Sequence, residues 1–503
     1  MAFGVFFDLG QDSIIWDGLS MIALLPVWLV AARDPDRLRD VLSQTIPQFA
    51  RGKLLLQKCE VDHISYKNDH WTGFYHLITS LPGEQRLHTT DLVGEIYTPG
   101  MIMPGEMQVT GDFGAEGWQA VIPELNLKLK EKESEKVLAS LAFLTDPEQS
   151  CEYLTSSIRS GSAKYHDLKI RASHPNIVRY KPGSRCTIIY QLEYAQSASP
   201  ETHWPERVVA KTYRGVKGKN AFDSMAALCN SSLGSSSVVN IAEPLAYDEQ
   251  ERVLIQRAIP EEKTLKNVLH SALQHQAPET MQALHTTLQK TAAGLAELHQ
   301  CGVDLGKTWR WEDEMEEIRE RVESLSTAYP VLARGIEPLL DRLIQLAVAV
   351  PPDPVVPSHG SFRPSQVLIY QDQIGFIDFD SFCQSEPAND LALFLSTLMV
   401  NSTANYAIDE EQDSDAATAP LAAGLDAETR EARYELASAL REKFLDAYEQ
   451  HHPVSRQRVA LWETLDILML ILHYWIKVKP AELTEILYLL ERFLQANHFV
   501  EKS

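Results

Sequence analysis

Two aspartates, Asp378 and Asp380, close the apolar stretch "IGFIDFD". A second apolar run, "VLIY", precedes it, and the polar "QDQ" between the two runs predicts a tight hairpin. If the hairpin turns at Asp372, antiparallel pairing sets Gln366 opposite Asp378. Strand alternation also places Asp380 on the face of Asp378. These carboxylate and amide oxygens suit Mg²⁺, although a purely structural corner would use the same aspartates to cap loops.

A lysine within a strand is the next candidate. Lys211 lies in "ERVVAKTY" among apolar residues, an arrangement that can hold one cation against a nucleotide phosphate. An isolated strand lysine is more often only solvated. The later stretch 251–269 adds an apolar strand, an irregular connector that begins at Gln256, and a helix that begins at Thr264. That order is typical of the passage from the sheet lobe to the helical lobe of a kinase.

Length and charge restrict the class of protein. At 503 residues the chain exceeds the size at which one hydrophobic core keeps growing, so we expect two or three cores and a multi-lobed protein. Acidic residues number 69 against 46 basic ones, which gives a formal net charge of −23. Such a surface repels nucleic-acid phosphates and anionic membranes, and we expect no nucleic-acid partner.

The cysteines and the apolar stretches indicate the compartment. The six cysteines lie far apart without a CxxC pair, which favours neither a zinc site nor a disulfide framework and indicates a reducing cytoplasm. The most apolar early stretch, 19–32, is shorter than the roughly 20 residues that a membrane-spanning helix needs. Aspartates precede it where a signal peptide carries basic residues, so we predict buried helical segments and no membrane insertion.

Two segments with strand-like alternation, within 54–100 and 174–215, match each other by eye. The matched positions are Tyr66 and Lys67 with Tyr180 and Lys181, Tyr75 with Tyr190, and Glu95 with Lys211. We interpret the match as an internal duplication of a small antiparallel unit. The alternative is that any two meanders share tyrosine and valine at strand spacing. Because Glu95 has the opposite charge, the first copy is not expected to bind phosphate. The alternative interpretation of Glu95 is an ordinary exposed strand residue.

Helical spacing begins near residue 284 and returns after the hairpin motif at 359–380. The first such helix ends at Gly302, and a later one, "DLALFLSTLMV", takes Asn389 or Asp390 as its N-cap. Within this part, 401–428 is polar, acidic and aperiodic, which predicts a mobile insertion. The predicted domains are an N-terminal region (1–150), a kinase-like N-lobe (151–257) and a helical C-lobe (258–503).

The order of these elements resembles the aminoglycoside phosphotransferase and choline kinase family. The likeness rests on the lysine strand, "LAELH", "HG-F-P-QVLI", "IDFD" and "EPANDLALFL", within about residues 150–500. It implies an α+β, protein-kinase-like fold with two lobes, an antiparallel sheet N-lobe and a mainly helical C-lobe. An extra N-terminal α/β region, a candidate duplicate of the N-lobe, precedes them. The resemblance also implies ATP and Mg²⁺ as cofactors.

The resemblance assigns roles by position. These are Lys211 as the phosphate-binding lysine, Gly183 in the turn that covers the phosphates, Gln256 at the nucleotide-binding connector, His359 as the organiser of the catalytic loop, Asp378 as the principal Mg²⁺ ligand, Gln366 as a second metal contact, and Asp390 as the residue that holds the loop. Family members carry Asn, less often Gln, where Gln366 stands, so that contact has a longer reach.

Ser361 is the clearest departure, because the family has "HGD" where this chain has "HGS". A neutral hydroxyl does not take up a proton as a carboxylate does. General-base assistance is worth roughly 10²–10⁴-fold in rate, so its loss slows phosphoryl transfer without abolishing it, and Asp380 is a candidate substitute. The helix after Lys211 also lacks a glutamate to pair with the lysine, and Asp223 is its only acidic candidate.

The sequence therefore leaves two functional hypotheses open. The first is a cytoplasmic kinase that binds ATP with Mg²⁺ and phosphorylates a small-molecule hydroxyl, with Ser361, His359 and Asp380 at the reacting centre. The second is a pseudokinase, which is a nucleotide-responsive or structural module that binds a protein partner without phosphotransfer.

Overall fold

The structure is a computed structural model that describes residues 9–101, 108–115, 117–132, 139–181, 184–195, 203–403 and 426–500. Gly183 and most of the acidic segment 401–428 lie outside the described residues. The described part consists of two antiparallel sheets, each preceded by helices, and a helical lobe that contains the "HGS" loop.

The first sheet has six strands and follows four helices. The helices are α1 (Leu9–Ile22), α2 (Val27–Ala31), α3 (Pro35–Thr45) and α4 (Pro47–Ala50). The strands are β1 (Leu55–Lys67), β2 (His70–Ser80), β3 (His88–Ile96), β4 (Val109–Thr110), β5 (Gln119–Ile122) and β6 (Leu127–Glu131). Their order in the sheet is β1-β2-β3-β6-β5-β4, and all pairs are antiparallel. We call 27–131 the first unit.

The second sheet has five strands and follows two helices, α5 (Ala139–Thr145) and α6 (Pro147–Gly161). The next elements are β7 (Ile170–Lys181), β8 (Arg185–Tyr194), β9 (Arg207–Thr212), α7 (Lys217–Cys229), β10 (Val239–Ile241), β11 (Pro244–Asp248) and β12 (Val253–Arg257). The strand order in the sheet is β11-β12-β9-β8-β7, with β10 outside it. We call 139–257 the second unit.

Eight helices build the helical lobe. They are α8 (Leu265–His275), α9 (Pro278–His299), α10 (Trp311–Ala328), α11 (Val331–Ala349), α12 (Pro387–Thr403), α13 (Ala427–Glu449), α14 (Arg456–Lys477) and α15 (Pro480–Ala496). Short strands accompany them: β13 (Lys263–Thr264), β14 (Val356–Ser358), β15 (Val367–Tyr370), β16 (Gln373–Phe376) and β17 (Cys383–Ser385). The small sheet β10-β16-β15-β13 joins the second unit to this lobe, and β14 pairs with β17.

The two units share one strand order. In each, three strands form a meander, and the last strand of the unit then pairs with the third strand of that meander. The registers also agree, because Thr72 pairs with Glu95 where Thr187 pairs with Lys211. This agreement favours a duplication over a chance likeness of two meanders.

A second likeness lies at the start of each unit. Asp34 and Asp146 both precede a proline, and each caps the following helix by accepting two backbone N–H groups. Tyr75 and Tyr190 donate hydrogen bonds, at 3.0 and 2.7 Å, to the carbonyl that lies two residues before the capping aspartate. The paired segments "DPDRL" and "DPEQS" are the signal for this likeness in the sequence.

The first unit packs against the helical lobe. Trp71 is fully buried, and its indole N–H donates to the carbonyl of Trp475 at 3.3 Å. Trp475 donates to the carbonyl of Ile22 at 3.2 Å, and Tyr66 donates to the carbonyl of Ser324 at 2.8 Å. Buried side chains of the first unit and of the helical lobe form one continuous core, whereas the second sheet buries a separate core with α5 and α6.

The observed architecture confirms the α+β fold with a sheet lobe and a mainly helical lobe. Helix α8 begins after Thr264, whose hydroxyl accepts the N–H of Asn267, as predicted. The predicted domain limits stay predictions; α5, which lies before the limit at 150, packs with the second sheet.

Two stretches, 12–45 and 456–477, are long and apolar enough to cross a bilayer by composition alone. The first is divided among α1, α2 and α3. The second is α14, of which 72% is buried inside the protein, as in a core helix.

Candidate functional site

The hairpin of β15 and β16 turns over two residues. Both turn residues, 371–372, have positive φ angles of 46° and 64°, which is the geometry of a tight two-residue turn. The N–H of Ile377 therefore donates to the carbonyl of Gln366 at 3.2 Å. The predicted pairing of Gln366 with Asp378 is wrong by one residue, because Gln373 belongs to β16 and not to the turn.

Asp378 ends this hairpin in the left-handed conformation, with a φ of 75°. A 3₁₀ turn follows it, so strand alternation does not extend to Asp380, contrary to the prediction. Two side chains from the end of β9 bind the aspartates instead. Lys211 Nζ lies 2.8 Å from Asp378 Oδ1, and the Tyr213 hydroxyl donates to Asp380 Oδ1 at 2.7 Å. These two contacts join the second unit to the helical lobe.

The two aspartates differ in their affinity for protons. Burial raises the pKa of Asp378, but the Lys211 ammonium outweighs burial and lowers that pKa to about 2. Burial, together with the charge of Asp378, raises the pKa of Asp380 against the opposing effect of Lys211. Burial beside Asp380 also raises the pKa of Tyr213, which keeps its hydroxyl a donor. Asp378 is thus the anion of the site, and Asp380 is the better proton acceptor.

Asp390 fastens the "HGS" loop to the start of α12. Its carboxylate accepts the N–H of His359 at 2.6 Å and the N–H of Gly360 at 2.8 Å, and His299 Nε2 lies 3.2 Å away. Burial raises the pKa of Asp390, but His299 and the loop donors outweigh it and lower the pKa overall. The helix begins at Pro387, so the prediction of Asn389 or Asp390 as N-cap is wrong; the Asp390 carboxylate lies in the first turn and bonds the loop.

His359 is buried, and its ring is oriented by two contacts. Nε2 lies 2.9 Å from the carbonyl oxygen of Ile377; a carbonyl only accepts, so Nε2 carries a proton. Ser361 Oγ lies 3.4 Å from Nδ1 of the same ring. We call residues 378–381, which contain both aspartates, the aspartate turn. Gly360 allows the loop to lie against it, because the φ of Gly360 is 75° and a Cβ there would be 2.1 Å from the Ser381 carbonyl oxygen.

Among the described residues, the other predicted nucleotide contacts do not pair with Lys211. In the described residues Lys211 pairs with Asp378 and with no glutamate. Asp223 of α7 instead pairs with Lys219, one turn away, at 2.6 Å. Gln256 is buried in β12, beside β9, and the strand continues one residue past it before the connector begins. Gly183 lies outside the described residues, so its predicted contact with phosphates stays a prediction.

Donor atoms present at the hairpin fit a magnesium ion. Gln366 is buried, and its side-chain oxygen has no hydrogen-bond partner among the described residues. The Asp378 side chain is 35% exposed and ionised at neutral pH. Within the described ranges no group of three or more His, Cys, Asp or Glu side chains could hold a metal alone. One carboxylate, one free amide oxygen and nucleotide phosphates are nevertheless a suitable set, because Mg²⁺ usually takes one or two protein ligands beside the phosphates.

Two further residues belong to the site, although no sequence motif gave them a role. Tyr213 follows Lys211 by two positions, and alternate residues of an extended chain face one side, so both reach the aspartate turn. His299 ends α9 within "LAELH", and its ring contacts Asp390 and, at 2.6 Å, the Tyr448 hydroxyl. A histidine at the end of an apolar helix was the available signal for this buried network.

The two-lobed fold and the site between the lobes define a kinase-like protein. Residues 202–433 match the family model of the phosphotransferase enzyme family. The match contains Lys211, the "HGS" loop and both aspartates of the turn. This match confirms the resemblance to that family predicted from the motifs.

Solved structures with a similar fold have low sequence identity to this chain. A choline/ethanolamine kinase family protein from Mesorhizobium loti is 11% identical, with a TM-score of 0.42 over 64% of this chain and 91% of that one. The streptomycin-ATP-APH(2")-IIa ternary complex is 14% identical, with a TM-score of 0.39 over 65% and 88%. A glucosamine kinase in complex with glucosamine, ADP and inorganic phosphate is 13% identical, with a TM-score of 0.43 over 91% and 99%. No curated protein matches this chain.

Proposed function

We propose that this protein binds ATP with Mg²⁺ between β9 and the aspartate turn and transfers phosphate to a hydroxyl of a small molecule. The 2.8 Å contact between Lys211 and Asp378 carries the proposal, since it sets a cation and an anion from the two lobes in one cleft. The family match over 202–433 supports it. The six cysteines are unpaired, which supports a reducing, cytoplasmic setting.

Each residue of the cleft has a distinct task in this function. Lys211 would hold the phosphates, and Asp378 and Gln366 would hold the metal. Mg²⁺, when bound, neutralises the charge of the terminal phosphates. Because the pKa of Asp378 is about 2, no proton has to leave its carboxylate before a cation binds. His359 and Gly360, tied to Asp390, hold Ser361 at the position of the general base, next to the acceptor hydroxyl.

Ser361 makes the site divergent. Loss of the carboxylate general base costs about 10²–10⁴-fold in rate, or roughly 3–5 kcal/mol of barrier. Positioning and the charges of Lys211 and the metal supply most of the remaining catalysis in phosphoryl transfer. Asp380 has the raised pKa of a useful base, but one of its oxygens already accepts the Tyr213 hydroxyl. The reaction is therefore expected to be slow.

A pseudokinase is the second candidate function. Two observations favour it: a serine stands in the position of the base, and Asp223, the one acidic residue of α7, pairs with Lys219 and not with Lys211. In this function nucleotide binding would alter the contact between the lobes, and a protein partner would respond to the change.

The first experiment measures nucleotide binding by thermal shift with ATP and Mg²⁺. The wild type is expected to be stabilised, and Asp378→Asn is expected to lose the stabilisation. Asp372→Asn is a matched control, because Asp372 lies in the turn of the same hairpin and Asn tolerates its φ of 64°. Absence of any shift in the wild type would contradict both nucleotide-dependent functions.

The second experiment distinguishes kinase from pseudokinase. Labelled ATP is offered with choline, glucosamine or streptomycin as probe acceptors, and phosphate transfer is measured. Transfer by the wild type that disappears in Asp378→Asn supports the kinase. ATP binding without transfer, with transfer gained in Ser361→Asp, supports a pseudokinase whose chemistry was lost at that residue.

A further inference from the structure

The contact between Ser361 and His359 directs the Nδ1 side of the imidazole toward the serine. Because the Ile377 carbonyl fixes a proton on Nε2, Nδ1 is the ring nitrogen left to accept a hydrogen bond. The Ser361 hydroxyl, 3.4 Å away, is therefore the donor to Nδ1. A hydroxyl has one proton and two lone pairs, so its oxygen can accept a proton from another hydroxyl at the same time.

The ring has little freedom to turn away from the serine. His359 is 0% exposed, and its ring lies against Phe379 and Phe362, with centroids 4.6 and 5.4 Å apart. Its backbone N–H is held by Asp390 at 2.6 Å. In other enzyme classes, a hydroxyl is activated as a nucleophile by a base that contacts it and that a third group orients. The Ser361 hydroxyl and the His359 imidazole have this arrangement.

We propose that Ser361 relays the proton of the acceptor hydroxyl to His359 during phosphoryl transfer. The relay rests on the proposed function. In it, the imidazole of His359, reached through Ser361, replaces the missing carboxylate as the final proton acceptor. His359 acts only through Ser361 and does not touch the acceptor.

The relay balances in protons and electrons. The acceptor oxygen forms a bond to the γ-phosphorus, and the bond from that phosphorus to the bridging oxygen breaks, with its electron pair leaving on ADP. The acceptor proton moves to Ser361 Oγ, and the proton of Ser361 moves to His359 Nδ1. Asp378 and Asp390 both interact electrostatically with His359, so their negative charges would favour the imidazolium that results.

Asp380 is the rival proton acceptor, and its surroundings make it the weaker candidate. One of its oxygens accepts the Tyr213 hydroxyl at 2.7 Å, whereas Nδ1 of His359 has the Ser361 hydroxyl as its described partner. If Asp380 served as the base, removing Nδ1 of His359 would not slow the reaction more in the chain that retains Ser361 than in Ser361→Asp.

A double-mutant cycle on the full chain tests the relay. The probe acceptor is water, and release of inorganic phosphate from Mg²⁺-ATP is measured for the wild type, His359→Gln, Ser361→Asp and the double variant. Gln keeps an N–H donor near the position of Nε2 and removes the Nδ1 acceptor. We expect His359→Gln to slow hydrolysis about 10²-fold or more in the wild-type background. In the Ser361→Asp background we expect His359→Gln to slow hydrolysis less than about 3-fold, because the new carboxylate accepts the proton itself.

A structural role of His359 predicts a different result. Equal slowing in both backgrounds would show that the histidine only supports the loop, and the relay would be wrong. Ser361→Ala gives a second check, since it should slow hydrolysis as much as His359→Gln, and the two changes together should slow it no further. Absence of hydrolysis in all variants, with the ATP-induced thermal shift intact, would instead refute phosphotransfer itself and the relay with it.

Discussion

Asp378 and Asp380 are two residues apart, yet their surroundings shift their pKa values in opposite directions. The folded pKa of Asp378 is about 2 against an ordinary 3.8, so its ionised form stabilises the fold above about pH 4. That contribution is lost as the pH falls toward 2. The raised pKa of Asp380 has the opposite sign, because its charge opposes folding increasingly as the pH rises through the folded pKa.

Two amide substitutions should therefore differ in their effect on stability. Asp378→Asn leaves Lys211 without its anion and is expected to cost about 1 kcal/mol at pH 7, a value reduced for the partial exposure of the carboxylate. Asp380→Asn retains an acceptor for Tyr213 and removes a buried charge, so stability should be unchanged or higher. Urea unfolding at pH 7 and pH 3 measures both; equal destabilisation by the two variants would contradict the assigned charge states.

Residue types at this site were predictable where a local motif fixes them. The sequence predicted His359, Asp378 and Lys211, because each lies in a short motif whose residue types indicate their chemistry. Tyr213 was missed, since its contact with Asp380 crosses 167 residues of chain. The hairpin register was wrong by one residue because a two-residue turn and a three-residue turn look alike in "QDQ", and only the backbone φ angles distinguish them.

At the scale of elements, α12, α9 and the "HGS" loop meet at one buried carboxylate. Asp390 accepts two backbone N–H groups of the loop and the ring of His299, and His299 in turn contacts Tyr448 of α13. The two loop N–H groups and His299 Nε2 would each lose this partner in the interior if the carboxylate were absent. The loop is thus positioned by a network and not by its own backbone preferences.

Asp390→Ala should release the loop. We expect a loss of about 3 kcal/mol in the free energy of unfolding, because a buried ion and its hydrogen bonds are removed together. Hydrogen exchange at the His359 and Gly360 amides should become faster, while the amides of β7 to β9 stay protected. Asp372→Asn is the matched surface control. Unchanged exchange at the two loop amides would show that Asp390 does not hold the loop.

On the scale of the whole molecule, the first unit and the helical lobe share one hydrophobic core. The sequence match of the two units had the correct register, because strand alternation is copied along with the residues although the turns differ in length. It gave no indication of where the first unit docks. That position depends on Trp71 and Trp475, which are 404 residues apart and form no local pattern.

Trp71→Ala tests the shared core. Removing this fully buried ring is expected to cost about 3–5 kcal/mol. Because the first unit and the helical lobe bury one continuous core, hydrogen exchange should increase in both β2 and α14. The separate core of the second sheet should be less affected, and amides of β8 should keep most of their protection. A loss confined to β2 would mean that the first unit is an independent domain.

The equivalent positions Glu95 and Lys211 allow a reciprocal test of which unit binds nucleotide. Glu95 accepts the Tyr97 hydroxyl at 2.6 Å and the Lys130 ammonium at 3.0 Å on a partly exposed sheet face, where an ion pair is worth about 1 kcal/mol or less. Glu95→Lys should cost about that much and leave the ATP-induced thermal shift unchanged. Lys211→Glu places a second anion against Asp378 and should abolish the shift. If Glu95→Lys removed the shift as well, the first unit would take part in nucleotide binding, and the lysine of β9 would not be the one that decides it.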